Sequence, residues 1–211
     1  MATVEMGNGA PAICGLRQRK KERTRTQIIE AALDLCEKQG FDKTTVEQIA
    51  SLADVSPRTV NRYFATKEDI VLGLIDDFLA ESVDILRSLP RDGDEIRALR
   101  DSYIGLVDRI VTTGEPISFE RFQQMQRVVK ETPSVSARSR ELGEFKNNVL
   151  GATIAERMGV RPDDLSVRVV MATWSAIAHV AMDDCEALTG EECRDSMTKA
   201  YDAFRATCVT R

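Results

Sequence analysis

The stretch from Lys43 to Asp69, KTTVEQIASLADVSPRTVNRYFATKED, leaves this chain few ways to fold. Thr44 with Glu47 reads as a capping box, and Val46, Ile49, Ala50 and Ala53 recur behind it at helical spacing. Asp54-Val55 interrupts that pattern almost at once. Ser56 then offers an N-cap, and Pro57 takes the first helical position, where a missing N–H costs nothing. A short helix over 57–63 follows, and Thr66 with Asp69 opens another. Two short helices around so tight a break have to cross, with the second laid over the first and one polar face left outward.

Helical periodicity runs through most of the remaining chain. Ile28, Ile29, Ala32, Leu33, Leu35 and Cys36 build an amphipathic helix that begins near Thr24, with a Thr24/Gln27 capping box, and stops at Gly40. A helix over 66–86 is followed by others at about 94–111, 117–130, 135–157, 163–187 and 190–207. Pro90-Arg91-Asp92-Gly93, Thr113-Gly114-Glu115-Pro116, Thr132-Pro133, Gly159 and Thr189-Gly190 separate them. Strict alternation and hairpin signals are missing. The reading is an all-α fold of about nine helices, divided into a flexible basic arm over 1–22, a three-helix helix-turn-helix domain over 23–70, and a larger helical domain over 71–211.

Net charge is −5, but it is unevenly spread. Residues 1–64 hold ten Lys/Arg against eight Asp/Glu, while 65–211 hold nineteen against twenty-six. Arg17, Arg19, Lys20, Lys21, Arg23 and Arg25 cluster around a single acid, Glu22. A basic front on an acidic body suits a modular protein that binds nucleic acid, and it equally suits a solvated arm. The second short helix sharpens the choice. Its Val60, with Val55 and Phe64, faces inward, which leaves Arg58, Thr59, Asn61, Arg62 and Tyr63 toward a major groove about 12 Å wide. Arg58 fits guanine O6/N7 or a phosphate, Asn61 fits adenine, and Tyr63 fits a phosphate through its hydroxyl. Thr44 or Thr45 would present a hydroxyl at a helix start, and Lys67 a charge. Taken singly each has a plain structural reading: solvated charge for Arg58 and Arg62, packing for Tyr63, capping for Thr44. Their combination favours DNA.

Gly40-Phe41, Thr44-Thr45-Val46, Ile49-Ala50, Ala53, Val55-Ser56, Thr59 and Tyr63-Phe64-x-x-Lys67-Glu68, in this order and spacing, resemble the signature of the tetracycline-repressor family over about residues 24–72. The resemblance implies base or phosphate contact by Thr45, Ser56, Arg58, Thr59, Asn61, Tyr63 and Lys67. Asn61 and Arg62 fall where members differ, so the operator sequence does not follow. The basic stretch, Arg17, Lys20 and Lys21 in particular, resembles extensions that some members lay into the minor groove or along phosphates.

Beyond residue 90 the resemblance is one of helical layout. It implies a homodimer paired through the last two helices, and an enclosed pocket for a small-molecule effector. Val169, Thr173, Ala176 and Val180 on the first of these helices, with Met197, Tyr201 and Phe204 on the second, are the expected dimer contacts; a monomeric helical core is the alternative. Tyr103, Phe119, Phe122, Met125, Phe145, Met171, Trp174 and Ile177 are the expected pocket wall, apolar enough for a hydrophobic effector. Trp174 reads more readily as core, and His179 as a core or interface residue. Arg121 and Arg127 hint weakly at an anionic ligand.

An enzyme is poorly served by this chain. It has one histidine and lacks G-x-S-x-G, a glycine-rich phosphate loop and metal-ligand spacing, so no metal or cofactor is expected. Cys36 reads as a small buried hydrophobe, and Cys185 with Cys193 as a less favoured thiol sensor; Cys14 and Cys208 complete an odd set. No signal peptide or membrane span is read, which leaves the cytoplasm. The favoured function is a homodimeric repressor released from a palindromic operator by an effector that tilts the 66–86 helix. The rival is a constitutive DNA-binding or helical protein-interaction module, which calls for a filled C-terminal core where the repressor calls for a cavity of a few hundred Å³.

Overall fold

The computed structural model describes residues 11–183 and 189–208, with side chains throughout except at 11–16, 144–146 and 183. Among the described residues there are ten α-helices, one 3₁₀ turn and no strand. The chain divides into two compact units, Met1–Val71 and Leu72–Arg211.

The first unit contains α1 (Pro11–Gln39), α2 (Val46–Leu52), α3 (Pro57–Tyr63) and α4 (Lys67–Val71). Helix α1 starts well before Thr24 and takes in the basic cluster expected to lie in an arm. Thr24 caps nothing: its Oγ1 donates to the Lys20 carbonyl inside the helix. The buried stripe of α1 is Ile28, Ile29, Ala32, Leu33 and Cys36, and it packs on α2 and α4. Gly40, at φ +81°, ends the helix in the left-handed conformation that a Cβ disfavours.

The second unit contains the 3₁₀ turn Leu72–Leu74, then α5 (Ile75–Ser88), α6 (Glu95–Thr113), α7 (Phe119–Glu131), α8 (Pro133–Met158), α9 (Leu165–Asp183) and α10 (Gly190–Cys208). Expected as one helix over 66–86, the chain is instead two helices separated by the 3₁₀ turn. Tighter winding of this kind inside a helical run is a common place for a hinge. Helices α9 and α10 pack together, and both pack on α6. Leu86, Leu99, Ile154, Met171, Trp174, Ile177, Met197 and Tyr201 fill the centre. Gly190 reads as a turn residue in sequence, yet its role is proximity. A Cβ there would run into Val111 Cγ2 of α6, so α10 starts directly against that helix.

Candidate nucleic-acid interface and ligand cavity

In the first unit, α2 is capped by Thr45, whose side chain accepts from the Gln48 N–H at 3.2 Å while Gln48 Oε1 accepts from the Thr45 N–H at 3.0 Å. The capping box is thus Thr45/Gln48, one residue later than Thr44/Glu47. The shift rotates both threonines by about 100°. Thr44 turns inward, is buried, and donates its hydroxyl to the Gly40 carbonyl at 2.9 Å. Its side chain is spent inside the unit, so the expected DNA contact passes to Thr45, which is exposed.

Asp54 makes the turn sharp. With φ +53° it takes the left-handed position just past α2, where its N–H donates to the Ser51 carbonyl and the Val55 N–H donates to the Ala50 carbonyl. These two bonds are the Schellman closure, with aspartate in the place glycine usually holds. Ser56 restarts the helix by accepting from the Thr59 N–H at 3.1 Å, and its hydroxyl also meets Thr59 Oγ1 at 2.9 Å. Val60 and Phe64 are buried beneath α3. Arg58, Asn61 and Arg62 stand at i, i+3 and i+4 on its outer face and are exposed, while Thr59 and Tyr63 are half-buried on the flank. The Arg62 guanidinium lies 5.4 Å from the Tyr63 ring centroid.

Lys67 is a correction. Its ammonium donates to the Phe41 carbonyl at 2.8 Å and the Thr44 carbonyl at 2.9 Å, and sits 4.1 Å from the centre of the Phe41 ring. Those carbonyls belong to the corner between α1 and α2, which Lys67 holds closed rather than reaching outward. Burial raises the pKa of Cys36, against a smaller opposing effect of the Thr44 hydroxyl and the Lys67 charge, which keeps this thiol protonated and inert. Arg17, Lys20 and Lys21 are exposed at helical spacing on α1. A helix of about 10–12 Å diameter is too wide for a minor groove of about 6 Å, so on α1 these residues suit phosphates.

In the second unit, α5 to α9 and the 3₁₀ turn line a half-open cavity of about 440 Å³. Of the expected wall residues, Tyr103, Phe122, Met125 and Trp174 line it. Phe119 stacks on Phe122 at 5.9 Å but stays outside the lining, and Met171 and Ile177 belong to the packed centre. The side chain of Phe145 lies outside the described residues, as do those of Cys14 and Cys185. His179 lines the cavity, contrary to its reading as core; Arg121 and Arg127 do not. The sequence reading missed the α5 wall of Ile75, Phe78 and Leu79, and the polar stretch Ser139, Arg140 and Asn147 on α8. Phe78 meets Phe122 edge-to-face at 5.4 Å. On α8, Gly143 lines the cavity where a Cβ would meet nothing within 4 Å. The helix gives up roughly 1 kcal/mol of propensity there relative to alanine and leaves the space empty.

The outer face of α9 is apolar. Leu165, Val169 and Val180 are 68%, 56% and 53% exposed. With Ala172 and Ala176, also exposed, they form one stripe along the helix. Thr173 is half-buried. Met197 and Tyr201 overturn their assignment as dimer contacts: they are 0% and 4% exposed and lie in the protomer's own centre. Phe204 packs against the same cluster. The α9 stretch Leu165–Met182 is long and apolar enough by composition to cross a membrane, although it carries Arg168. Among the described residues no cluster of His, Cys, Asp or Glu could hold a metal.

A capped helix-turn-helix with an outward basic face, in a chain whose second unit is all-helical and hollow, defines a DNA-binding transcription regulator. Residues 28–74 match the family model of bacterial regulatory proteins, tetR family, and residues 94–208 match the model of the MftR C-terminal domain. The chain belongs to the tetR family of bacterial regulatory proteins and is a helix-turn-helix DNA-binding transcription regulator. It is similar to the HTH-type transcriptional regulator TcmR of Streptomyces glaucescens, with 36% identity over 169 residues, 79% of this chain and 74% of that protein. In fold it is similar to the FadR repressor of Thermus thermophilus, crystallised with lauroyl-CoA, at TM-score 0.53 and 22% identity over 89% of this chain and 96% of that one. It is also similar to NalD of Pseudomonas aeruginosa, the secondary repressor of an efflux pump, at TM-score 0.54 and 16% identity over 87% and 96% of the two chains.

Proposed function

We propose that this regulator is a cytoplasmic repressor that occupies a palindromic operator as a dimer and leaves it when a small, largely apolar molecule fills the cavity of the second unit. The observation that carries this reading is the cavity. A constitutive DNA-binding or interaction module has no use for about 440 Å³ of unfilled space among five helices, because each lost contact there costs stability. Occupancy bears on Leu72 and Ile75, which line it and follow α4 directly in the chain. A ligand that fits only one arrangement of this 3₁₀ segment shifts the population toward that arrangement, away from the one that matches the operator. Repression asks least of the surface, since occupying a promoter requires no contact with polymerase.

Dimerisation is supported by the α9 stripe, whose valines and leucine are more than half exposed in one protomer. A single helix-turn-helix reads few base pairs, and two related by a two-fold axis read a palindrome with half-sites about 34–36 Å apart. On this reading Arg58 and Asn61 meet base edges, Thr45, Ser56, Thr59, Arg62 and Tyr63 meet the backbone, and Arg17, Lys20 and Lys21 meet flanking phosphates. The test is selection of bound duplexes from a random pool at near-physiological salt, with protein refolded free of ligand. Enrichment of a palindrome, followed by its release on adding an effector, is the expected result. A bound palindrome that no compound occupying the cavity releases would leave a constitutive binder.

A further inference from the structure

The lining of the cavity is lopsided. Helices α5 and α6 line it mainly with apolar side chains such as Phe78 and Leu99, with Ser82, Ser102 and Tyr103 among them, whereas α8 lines it mainly with polar ones, Ser139, Arg140 and Asn147, beside Leu150. Among the described residues none of those lining it is Asp or Glu. Arg140 is exposed while lining the cavity, which puts it at the mouth. Other arginines of this unit face carboxylates, such as Arg109 on Glu81 and Arg194 on Asp108. Arg140 has none among the described residues. Asn147 lies seven residues along α8 and Gly143 between them, so one face of one helix carries a guanidinium, an amide and a gap.

We propose that the effector is an amphipathic organic anion. Its apolar body lies against α5 and α6, and one carboxylate, sulfonate or comparable acidic oxygen group is held by Arg140, with Asn147 as an additional donor. This rests on the reading of the cavity as the effector site and adds the ligand's class to it. A guanidinium binds such oxygens through two parallel N–H bonds, which orients the ligand as well as retaining it. A neutral hydrocarbon would leave the polar side of the cavity to water. The free space over Gly143 gives room for the acidic group beside Arg140 without displacing backbone.

The experiment uses the full-length protein and two fluorescent probes of nearly the same shape, anilinonaphthalene sulfonate and its uncharged parent phenylnaphthylamine. Gly143→Leu, which fills the gap and favours the helix, serves to locate binding in the cavity and is expected to abolish it for both probes. Arg140→Gln is expected to weaken the sulfonate about tenfold, in the range of a charge-assisted hydrogen bond, and to change the neutral probe by less than about twofold. Arg140→Lys should recover part of the loss. Equal losses for the two probes, or none for the sulfonate, would overturn the anion while Gly143-sensitive binding of the neutral probe kept the effector site. If neither probe bound in a Gly143-sensitive way, both readings would fall.

Discussion

Arg157 Nε meets Glu95 Oε2 at 2.6 Å, and both side chains are almost wholly removed from solvent. The rest of the guanidinium is spent on backbone: Nη1 donates to the carbonyls of Leu86 at 2.7 Å and Leu89 at 3.0 Å, and Nη2 to that of Pro90 at 2.7 Å. Arg157 therefore closes the C-terminal end of α5, adding a charged donor to the Leu86 carbonyl beside the Leu89 N–H and reaching the carbonyls just past the helix, while Glu95 sits in the first turn of α6, where a carboxylate complements the helix dipole. One side chain from the end of α8 fixes the corner between two helices that wall the cavity.

Removing that side chain should be among the most damaging single changes in the second unit. Arg157→Met leaves the buried Glu95 carboxylate without its partner and removes the guanidinium from the carbonyls of Leu86, Leu89 and Pro90, and is expected to cost about 3–5 kcal/mol in urea unfolding. The double variant Arg157→Met/Glu95→Met separates pair from cap. Exchanging a buried ion pair for apolar groups is often neutral, but here three charged hydrogen bonds to backbone carbonyls are lost as well, so the double variant should remain less stable than the parent protein. Full recovery would mean that the carbonyl bonds contribute little.

Lys67 separates a structural lysine from a DNA-binding one. Lys67→Met removes two charged hydrogen bonds to the corner between α1 and α2 and should lower the stability of the first unit by about 1.5–3 kcal/mol. The slope of log affinity for DNA against log salt, measured where the variant is still folded, should not change. A slope smaller by about 0.9 would show that Lys67 neutralises a phosphate after all.

Arg58 and the α1 lysines should differ in the opposite sense. Arg58→Ala is expected to cost about 1–3 kcal/mol on the selected operator and far less on scrambled duplex, as loss of a base contact does. Lys20→Ala with Lys21→Ala should weaken operator and scrambled duplex alike and flatten the salt slope by up to about 0.9 per lysine. Equal losses on both duplexes for Arg58→Ala would move Arg58 to the phosphate class.

The fold was legible because 3.6-residue periodicity, Ser56-Pro57 and the breaker segments act locally, and local signals survive tertiary packing. The inner and outer faces of α3 followed from phase alone. What the sequence concealed was which buried surface a residue serves. Met197, Tyr201, Met171 and Phe122 look alike in a helical pattern, yet the first three pack the centre and the last lines a cavity. Thr44 and Thr45 are chemically interchangeable as caps, and only the corner at Gly40-Phe41 decides which one turns inward. Arg140 was invisible for the same reason: a charge in a polar stretch of helix reads as solvated until a cavity is found beside it.

The exposed α9 stripe is the proposed dimer surface, and the buried residues of α10 are core. Val169 and Val180 are more than half exposed in the protomer, so a charge at either position leaves the isolated fold intact. In a two-fold interface each substitution enters twice, and a carboxylate buried against its own symmetry mate has neither solvent nor a partner. Val169→Glu and Val180→Glu are therefore expected to give folded monomers in sedimentation equilibrium, with thermal unfolding of the protomer little changed. Operator affinity should fall steeply, because each monomer then reads a half-site alone. Tyr201→Ala should do the reverse. Tyr201 is enclosed by its own chain, with its hydroxyl 3.4 Å from Asp94 Oδ2 and the Arg100 guanidinium 4.4 Å from its ring centroid, so its loss lowers the stability of the protomer by about 3–5 kcal/mol through a cavity. Val169→Glu remaining dimeric would place the interface elsewhere and leave the exposed apolar face of α9 to another partner.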